Sequence, residues 1–357
     1  AVTFTNKAAN EMRERIESLC GEIHGMWVMT FHAMCLRMLR KHAGVIGYDK
    51  NFVIYDTADQ KTLVRNICKE LNLDSKEFKP AYIASVISDK KEQGVTPQEF
   101  AENAIGMKNK LLARAYQMYE KALRDNNAMD FDDILLYTYI LFRDHQEVRN
   151  RYREQFEYIL VDEYQDTNYA QVSIISQLAE IHRRVCVVGD DYQSIYSFRG
   201  ANIDNILDFK NKFDEAKLFK LERNYRSTQL IVQAANSLMK HNERQIPKNV
   251  YSKEDEGDKV LYKPCYSDRE EAMVVAKELK RIKHMDDCDY SNFAILYRTN
   301  AQSRAFEDEF RSQGIPYKII GGLSFYQRKE IKDIIAYFRL VSNPNDEEAF
   351  RRIINYP

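Results

Sequence analysis

Two short segments of this chain carry side chains that could act on a phosphate group. An apolar run at 158–161 ends in Asp162 and Glu163, and a second apolar run at 185–188 leads into GDDYQ at 189–193. Such runs are typical of buried parallel strands, and ligands of open α/β sheets lie just beyond the carboxyl ends of those strands. There an aspartate can hold Mg²⁺ on nucleotide phosphates, and a neighbouring glutamate can polarise a water molecule. The alternative is that these acids cap helices or form a solvated turn, and the repetition of the pattern argues against it.

The segments before these residues fall into two zones with different hydrophobic periodicity, and they predict the elements that would position the acids. Residues 1–46 alternate between strand and helix signals, whereas 55–153 have helical spacing without strand alternation. Within the helical zone, Thr96 and Asp130 are expected to begin helices, because each is followed three residues later by an acidic side chain that completes a capping box. The helical zone is therefore predicted to be an all-α insertion in an α/β domain.

A third zone begins near Leu218. It contains predicted strands at 293–297 and 315–320, and the helix between them ends at Gly314, which together make a β-α-β unit. The whole pattern predicts the α/β fold class, with parallel sheets, flanking helices and an inserted helical subdomain.

Composition limits the class of protein. The 357 residues include 44% hydrophobic side chains, which is enough for two or three domain cores. No apolar run approaches the roughly 18 residues of a membrane span, and no signal peptide is visible. The six cysteines show no C-x-x-C pairing and Cys186 lies in an expected core strand, so we expect reduced thiols in a cytoplasmic protein. The formal net charge of −1 argues against a broad basic surface, so any nucleic-acid site must be a local groove.

Several segments resemble the signature motifs of one family. Residues 162–168 (DEYQDTN), 189–200 (GDDYQSIYSFRG) and 222–228 (ERNYRST) are similar to three motifs of superfamily 1 DNA helicases of the UvrD/Rep/PcrA type. Residues 3–9 (TFTNKAA) and 30–35 (TFHAMC) resemble the two early DNA-contact motifs of that family. Two later segments fit as well, at 297–304 and 321–326. The matches follow the family's order along the whole chain.

The resemblance implies two RecA-like lobes of the P-loop NTPase type, with ATP and Mg²⁺ bound between them. Asp162 is then the metal ligand, and Glu163 orients or deprotonates the attacking water. Gln193 would contact both the γ-phosphate and that water. Tyr225 would offer an aromatic face to the base, and Arg226 a guanidinium fork to the phosphate.

The same resemblance suggests domain boundaries. The first lobe is expected in 1–50 and 154–217, the helical insertion in 51–153, the second lobe in 218–325, and the start of a second helical insertion in 326–357. The sequence contains no G-x-x-x-x-G-K-[ST], the loop that cradles the triphosphate in this class, and it stops before the family's last two motifs. We therefore expect a truncated motor that is inactive by itself.

Aromatic rings beside polar groups suggest the DNA contacts. Stacking on such rings contributes about 1–3 kcal/mol per base and tolerates any sequence, which suits a motor that moves along a single strand. Phe198 stands where the family usually has tryptophan, so stacking is kept but the indole N–H is lost. For each aromatic ring the alternative is a place in the core. The predicted contacts are Phe4, Thr5, Thr30, Phe31, His32, Tyr196, Phe198, Arg199, Arg298 and Asn300.

The resemblance implies an ATP-dependent DNA helicase or translocase of 3′ to 5′ polarity that acts on single strands and on single/double-strand junctions. Repair or replication is the expected setting, with a monomer in isolation and no membrane association. Protein partners are not indicated.

Two alternatives remain open. One is a metal-dependent nuclease or phosphohydrolase with a two-metal cluster made by Asp162, Glu163, Asp166 and Asp190. That chemistry would require bunched acids and histidines, yet His182 is the only histidine near these segments. The other alternative is a non-catalytic DNA-binding fragment. For Asp190 and Asp191, structural roles are expected.

Overall fold

The computed structural model describes residues 1–74, 76–320 and 329–355, apart from the side chain of Arg199. The chain divides into two compact units. Unit 1 comprises Ala1–Glu222, Ser237–Val250 and Ala336–Pro357, and unit 2 comprises Arg223–Asn236 and Tyr251–Ile335.

The strands are short and pair in parallel. Those of unit 1 are β1 (Val2–Thr3), β2 (Met29–Thr30), β3 (Val53–Ile54), β4 (Ala128–Met129), β5 (Ile159–Val161) and β6 (Val185–Val187), and those of unit 2 are β7 (Arg223–Asn224) and β8 (Tyr251–Ser252). The main sheet has the order β2-β1-β5-β6, while β3 pairs with β4 and β7 pairs with β8. In the main sheet β1 and β5 are adjacent although about 155 residues of chain separate them, and that intervening chain contains β2, the β3–β4 pair and several helices.

Helices make up most of the described chain. In the first part of unit 1 they are α1 (Asn6–Cys20), α2 (Phe31–His42), α3 (Thr57–Glu70), α4 (Pro80–Glu92), α5 (Pro97–Glu102), α6 (Gly106–Asp125), α7 (Phe131–Asp144), α8 (Gln146–Gln155), α9 (Tyr169–Ala179), α10 (Asp204–Leu207) and α11 (Phe209–Lys212). The remaining helices are α12 (Gln229–Met239), α13 (Asp268–Met285), α14 (Ser303–Ser312), α15 (Lys329–Ser342) and α16 (Glu347–Ile353). None of the helices in the described ranges combines the length and hydropathy needed to cross a membrane.

Each unit has its own hydrophobic core, formed by two clusters in unit 1 and one in unit 2 among the described residues. In unit 1, the main sheet packs with α2, α7 and α9, and a second cluster joins α3, α4 and α6. In unit 2, α13 packs against α14. The predicted capping boxes at Thr96 and Asp130 are formed, and they begin α5 and α7.

The prediction that β5 and β6 are fully buried was wrong. Leu160 is 48% exposed, and Cys186, expected in the core, is also exposed. Successive side chains of a strand point to opposite faces, and only the face that carries Ile159 and Val161 packs into the core. An apolar run therefore identified the strands but not which of their faces are covered.

The strands expected at 293–297 and 315–320 are not formed in the described structure. The chain there has no regular structure and no ladder hydrogen bonds, although α14 lies between the two segments as predicted. A strand requires a neighbouring edge that accepts its N–H and C=O groups. The apolar pattern of each segment predicted a buried face and could not supply that neighbour.

Candidate active site

The carboxyl ends of β5 and β6 bring the two acidic segments side by side. In the main sheet Val161 is paired with Val187, so the residues that follow the two strands are neighbours. Beyond the strands, the Tyr164 N–H donates to the Val188 carbonyl oxygen at 3.0 Å. The two loops are therefore held together by the continuation of the strand pairing.

Asp162 is anchored between two strands. Its backbone N–H donates to the Val2 carbonyl oxygen at 2.9 Å, and its Oδ2 accepts a hydrogen bond from the Thr3 hydroxyl at 3.3 Å. Thr3 is fully buried, so this contact restrains the carboxylate. The other oxygen, Oδ1, makes no hydrogen bond to any described residue. Nucleotide-bound Mg²⁺ is held by one or two carboxylates together with waters and phosphates, and a single half-buried carboxylate with one uncommitted oxygen fits that requirement.

Glu163 has a backbone conformation that is uncommon for a residue with a Cβ atom. Its φ of 54° and ψ of 40° lie in the left-handed region. Such strain costs about 1–3 kcal/mol and persists at functional sites where the surroundings enforce it. The side chain is exposed, and its Oε2 accepts a hydrogen bond from Gln165 Nε2 at 2.8 Å. An exposed carboxylate in this position can orient or deprotonate a water molecule.

Gln165 connects the two acidic loops, and the sequence motifs did not identify it as functional. It is 1% exposed, donates to Glu163, and accepts the Asp190 N–H at Oε1 over 3.0 Å. A Cβ atom at Gly189 would lie 2.5 Å from Gln165 Oε1 and 2.8 Å from Ile206 Cδ1, so a larger residue there would have to displace these two side chains. The available signal was a glutamine among the acids of DEYQD, together with the glycine that precedes the second acidic pair.

Asp166 is a buried carboxyl beside Glu163. It is 8% exposed, and its Oδ1 has no hydrogen-bond partner among the described residues. Burial, followed by the charge of Glu163, raises its pKa to about 6, although a hydrogen bond from Gln165 opposes the shift. Asp166 therefore favours its protonated form more than an ordinary aspartate does.

Gln193 is held by Asp190. The Gln193 Nε2 donates to Asp190 Oδ2 at 2.8 Å, and Asp190 Oδ1 accepts the Tyr192 N–H at 3.1 Å. Burial opposes ionisation of Asp190, but hydrogen bonds from Lys248 and Gln193 outweigh it and lower the pKa of this carboxyl. Lys248, which the sequence motifs also did not identify, lies 2.5 Å from both Asp190 and Asp191.

Tyr225 and Arg226 lie in unit 2, directly after β7. The Asn224 side-chain oxygen accepts the Arg226 N–H at 2.9 Å and the Ser227 N–H at 2.8 Å, which forms a tight turn. Both predicted side chains project from this turn into solvent, and Tyr225 is 70% exposed. The Arg223 guanidinium lies 4.3 Å from the Tyr225 ring centroid. The turn thus presents the Tyr225 ring with the Arg223 guanidinium beside it, and the exposed Arg226 follows in sequence.

Three of the predicted DNA contacts form a row of rings in unit 1. The Phe4 and Tyr196 centroids are 5.6 Å apart, and those of Tyr196 and Phe198 are 5.8 Å apart. Phe198 is 65% exposed, and the other two rings are partly exposed. We call Phe4, Tyr196 and Phe198 the aromatic row. Rings with an exposed face can stack on bases without reading their identity.

The early motifs have mixed roles. The hydroxyls of Thr5 and Thr30 cap α1 and α2 by accepting the Ala8 and Ala33 N–H groups. Phe31 is 3% exposed and belongs to the core cluster, so its ring is not part of the exposed surface. The first residue of a helix that packs on the sheet is turned inward, which a motif match alone cannot reveal.

The other predicted DNA contacts are placed separately. His32 is partly buried with its ring 6.2 Å from that of Phe131, and burial lowers its pKa. Arg298 and Asn300 are exposed in unit 2. The side chain of Arg199 lies outside the described part of the structure.

The geometry gives little support to a two-metal cluster. The Asp190 carboxylate is ion-paired with Lys248, which leaves it a poor candidate for a metal ligand. Across residues 1–74, 76–320 and 329–355, no group of three or more His, Cys, Asp or Glu side chains is arranged to hold a metal ion.

Comparison with known proteins gives a consistent result. Residues 1–214 match the sequence profile of the UvrD/REP helicase N-terminal domain, and residues 219–357 match that of the UvrD-like helicase C-terminal domain. The ATP-dependent DNA helicase PcrA of Bacillus subtilis (strain 168) is 47% identical over 358 residues, which cover 100% of this chain and 48% of that protein. The proteins of the same name from Staphylococcus aureus (strain NCTC 8325 / PS 47) and Leuconostoc citreum are 44% and 43% identical over 100% of this chain, and the match covers 49% and 48% of them. The chain thus spans about half the length of the curated relatives it matches.

The two profiles divide the predicted site residues between them. The acidic loops beyond β5 and β6 lie in the N-terminal match, and the exposed turn after β7 lies in the C-terminal match. Domains of both kinds have RecA-like P-loop folds, which agrees with the parallel main sheet and its flanking helices. The resemblance seen in the motifs is therefore confirmed, and the chain belongs to the UvrD/REP family of helicases.

Proposed function

We propose that this chain is part of an ATP-dependent DNA helicase that moves 3′ to 5′ along single-stranded DNA. The observation that carries the proposal is a hydrogen-bonded path from Glu163 through Gln165 and Asp190 to Gln193. This path joins the two acidic loops at the carboxyl ends of neighbouring parallel strands, where nucleotides bind in such sheets. Relatives that are 43–47% identical bear the name ATP-dependent DNA helicase PcrA, which supports the activity. The polarity rests on the motif resemblance.

ATP and Mg²⁺ are the proposed cofactors. Asp162 would hold Mg²⁺, which neutralises phosphate charge when bound. Glu163 would orient or deprotonate the attacking water, and Gln193 would contact both that water and the γ-phosphate. Tyr225 would stack on the base, and Arg226 would stabilise the charge that develops on the γ-phosphoryl group. The 357 residues contain no G-x-x-x-x-G-K-[ST], so we propose that they hydrolyse no ATP by themselves.

Single-stranded DNA, including single/double-strand junctions, is the proposed partner. The aromatic row supports this, because its exposed and partly exposed rings can stack on successive bases. The formal net charge of the chain is only −1, so a broad basic surface is not expected. Binding by stacking can take place in a local groove and does not need a broad basic surface. His32, Arg298 and Asn300 would contribute polar contacts.

The remaining proposals concern organisation and setting. We propose RecA-like lobes at 1–50 with 154–217 and at 218–325, a helical insertion at 51–153, and a second insertion that begins at 326. A monomer acting in DNA repair or replication in the cytoplasm is proposed, and the six free cysteines are compatible with a reducing compartment.

The decisive experiment is Glu163→Gln in the full-length protein. We expect ATP binding to be kept and DNA-stimulated ATP turnover to fall at least about 100-fold, because the amide cannot act as a base. Glu154, exposed on α8, provides the matched control, and Glu154→Gln should turn over normally. If Glu163→Gln lowers turnover by less than about threefold, Glu163 is not the catalytic base and the proposal loses its central residue.

A further inference from the structure

The end of α12 and the chain from there to β8 make a set of contacts that the proposed mechanism does not use. We call residues 237–250 the return segment; it belongs to unit 1, although the chain on both sides of it belongs to unit 2. Its Ile246 N–H donates to Asp191 Oδ2 at 2.8 Å, and its Asn249 N–H donates to Glu222 Oε1 at 2.7 Å. Arg244 forms an ion pair with Asp204. The return segment is thus tied to the loop that follows β6, to α10 and to the residue that precedes β7.

Lys248 is the centre of these contacts. Its side chain is 14% exposed, and its Nζ lies 2.5 Å from Asp190 Oδ1 and 2.5 Å from Asp191 Oδ1. The same ammonium group lies 3.8 Å from the centroid of the Tyr192 ring. Burial opposes its charge, but the hydrogen bonds to both carboxylates raise the pKa of Lys248. One lysine therefore bridges two adjacent carboxylates and offsets part of the repulsion between them.

The two oxygens of Asp190 have different partners. Oδ1 accepts from Lys248 and from the Tyr192 N–H, whereas Oδ2 accepts from Gln193 Nε2. An ionised carboxylate can only accept hydrogen bonds, so the NH₂ end of the Gln193 amide must face Asp190. The carbonyl oxygen of Gln193 is then left for a water molecule or another donor. Lys248 is one of the groups that hold the carboxylate to which this amide donates.

We propose that Lys248 is a positioning residue for ATP hydrolysis, which acts by orienting Gln193 through Asp190. The inference rests on the proposed function, in which Gln193 contacts both the attacking water and the γ-phosphate. Without the ammonium group, repulsion between Asp190 and Asp191 turns the Asp190 carboxylate away from its present position. The Gln193 amide then loses the partner that orients it and adopts several orientations, of which a fraction is productive. The effect falls on the chemical step and leaves ATP affinity nearly unchanged.

The test is steady-state kinetics of the full-length protein with saturating single-stranded DNA. We expect Lys248→Met to lower kcat at least about tenfold while the KM for ATP changes by less than about threefold. Lys248→Arg keeps the charge and should recover most of the activity. The matched control is Lys240→Met, since Lys240 is exposed in the same return segment. A normal kcat for Lys248→Met overturns the inference.

A double-mutant cycle separates positioning from general stability. If Lys248 acts through Gln193, then Lys248→Met should lower kcat by less than about threefold in a Gln193→Ala background. An equal loss in both backgrounds would show that Lys248 acts by another route. Should Lys248→Met give too little folded protein, Lys248→Gln carries the same cycle, since it also removes the charge.

Two further variants distinguish failure of this inference from failure of the proposed function. If Glu163→Gln and Gln193→Ala both keep normal turnover, the proposed site itself is wrong. If both lose turnover while Lys248→Met is normal, the site stands and only the role of Lys248 is refuted.

Discussion

The buried ammonium group of Lys91 makes a stability prediction that can be tested on this chain. Lys91 is 0% exposed on α4, and its Nζ lies 2.5 Å from Asp133 and 2.8 Å from Asp130 at the start of α7. Glu120 on α6 is 3.9 Å away. Burial opposes the charge of Lys91, but the surrounding carboxylates raise its pKa well above the usual value. Burial also raises the pKa of Asp133 strongly, so Asp130 is the main counter-charge.

The expected magnitude follows from this geometry. Lys91→Met fills a similar volume but leaves the Asp130 carboxylate buried without its cation, and breaking such a pair costs about 3–5 kcal/mol. A domain has a total stability of about 5–15 kcal/mol, so unit 1 should be severely destabilised. Adding Asp130→Asn removes the stranded charge while asparagine still caps α7. The double variant should therefore recover at least about 1–2 kcal/mol relative to Lys91→Met alone.

Urea denaturation followed by tryptophan fluorescence measures the effect. Trp27, the only tryptophan, packs against Phe156 with centroids 5.0 Å apart, and it reports on unit 1. Lys110→Met, at an exposed position of α6, is the control and should change the free energy of unfolding by less than about 0.5 kcal/mol. A loss below about 1 kcal/mol for Lys91→Met, or no recovery in the double variant, would refute the reasoning.

Three further predictions concern the aromatic row, the turn after β7, and Asp132 in the first turn of α7. Phe198→Ala should weaken the affinity of the full-length protein for single-stranded DNA by about 1–3 kcal/mol, without changing its ATP affinity in the absence of DNA. If a fluorescence titration shows unchanged DNA binding, the ring has a structural role only. Arg226→Lys should keep ATP binding but lose about 10³-fold or more in hydrolysis, whereas Tyr225→Ala should weaken nucleotide binding itself; the same pattern for both variants would contradict their separate roles. Burial, followed by the charge of Asp130, raises the pKa of Asp132 from 3.8 to about 6, so its contribution to stability falls as the pH rises through that interval. The change in unfolding free energy caused by Asp132→Asn should therefore be more favourable at pH 7 than at pH 4, by up to about 3 kcal/mol. Urea titrations of both proteins at the two pH values measure it, and the same change at both would contradict the pKa shift.

The amino-acid sequence by itself determined the local features of this protein. Apolar runs that end in acids located β5 and β6, because a strand and the residues that follow it are contiguous in the chain. The capping boxes at Thr96 and Asp130 began helices as predicted, since a cap depends on residues three positions apart. Motifs in family order were enough to indicate the family, because each motif consists of contiguous residues.

The tertiary structure alone decided which distant residues meet. Lys248 reaches Asp190 across 58 positions, and nothing in the local pattern of either segment indicates the other. Gln165 joins the two acidic loops because the register of β5 against β6 places them side by side. The same limit explains why the sequence did not show that Phe31 is buried or that Cys186 is exposed. Periodicity predicts that an apolar residue lies in a helix or a strand. Whether its side chain is buried depends on which other elements pack against that face, and those elements are often far away in the sequence.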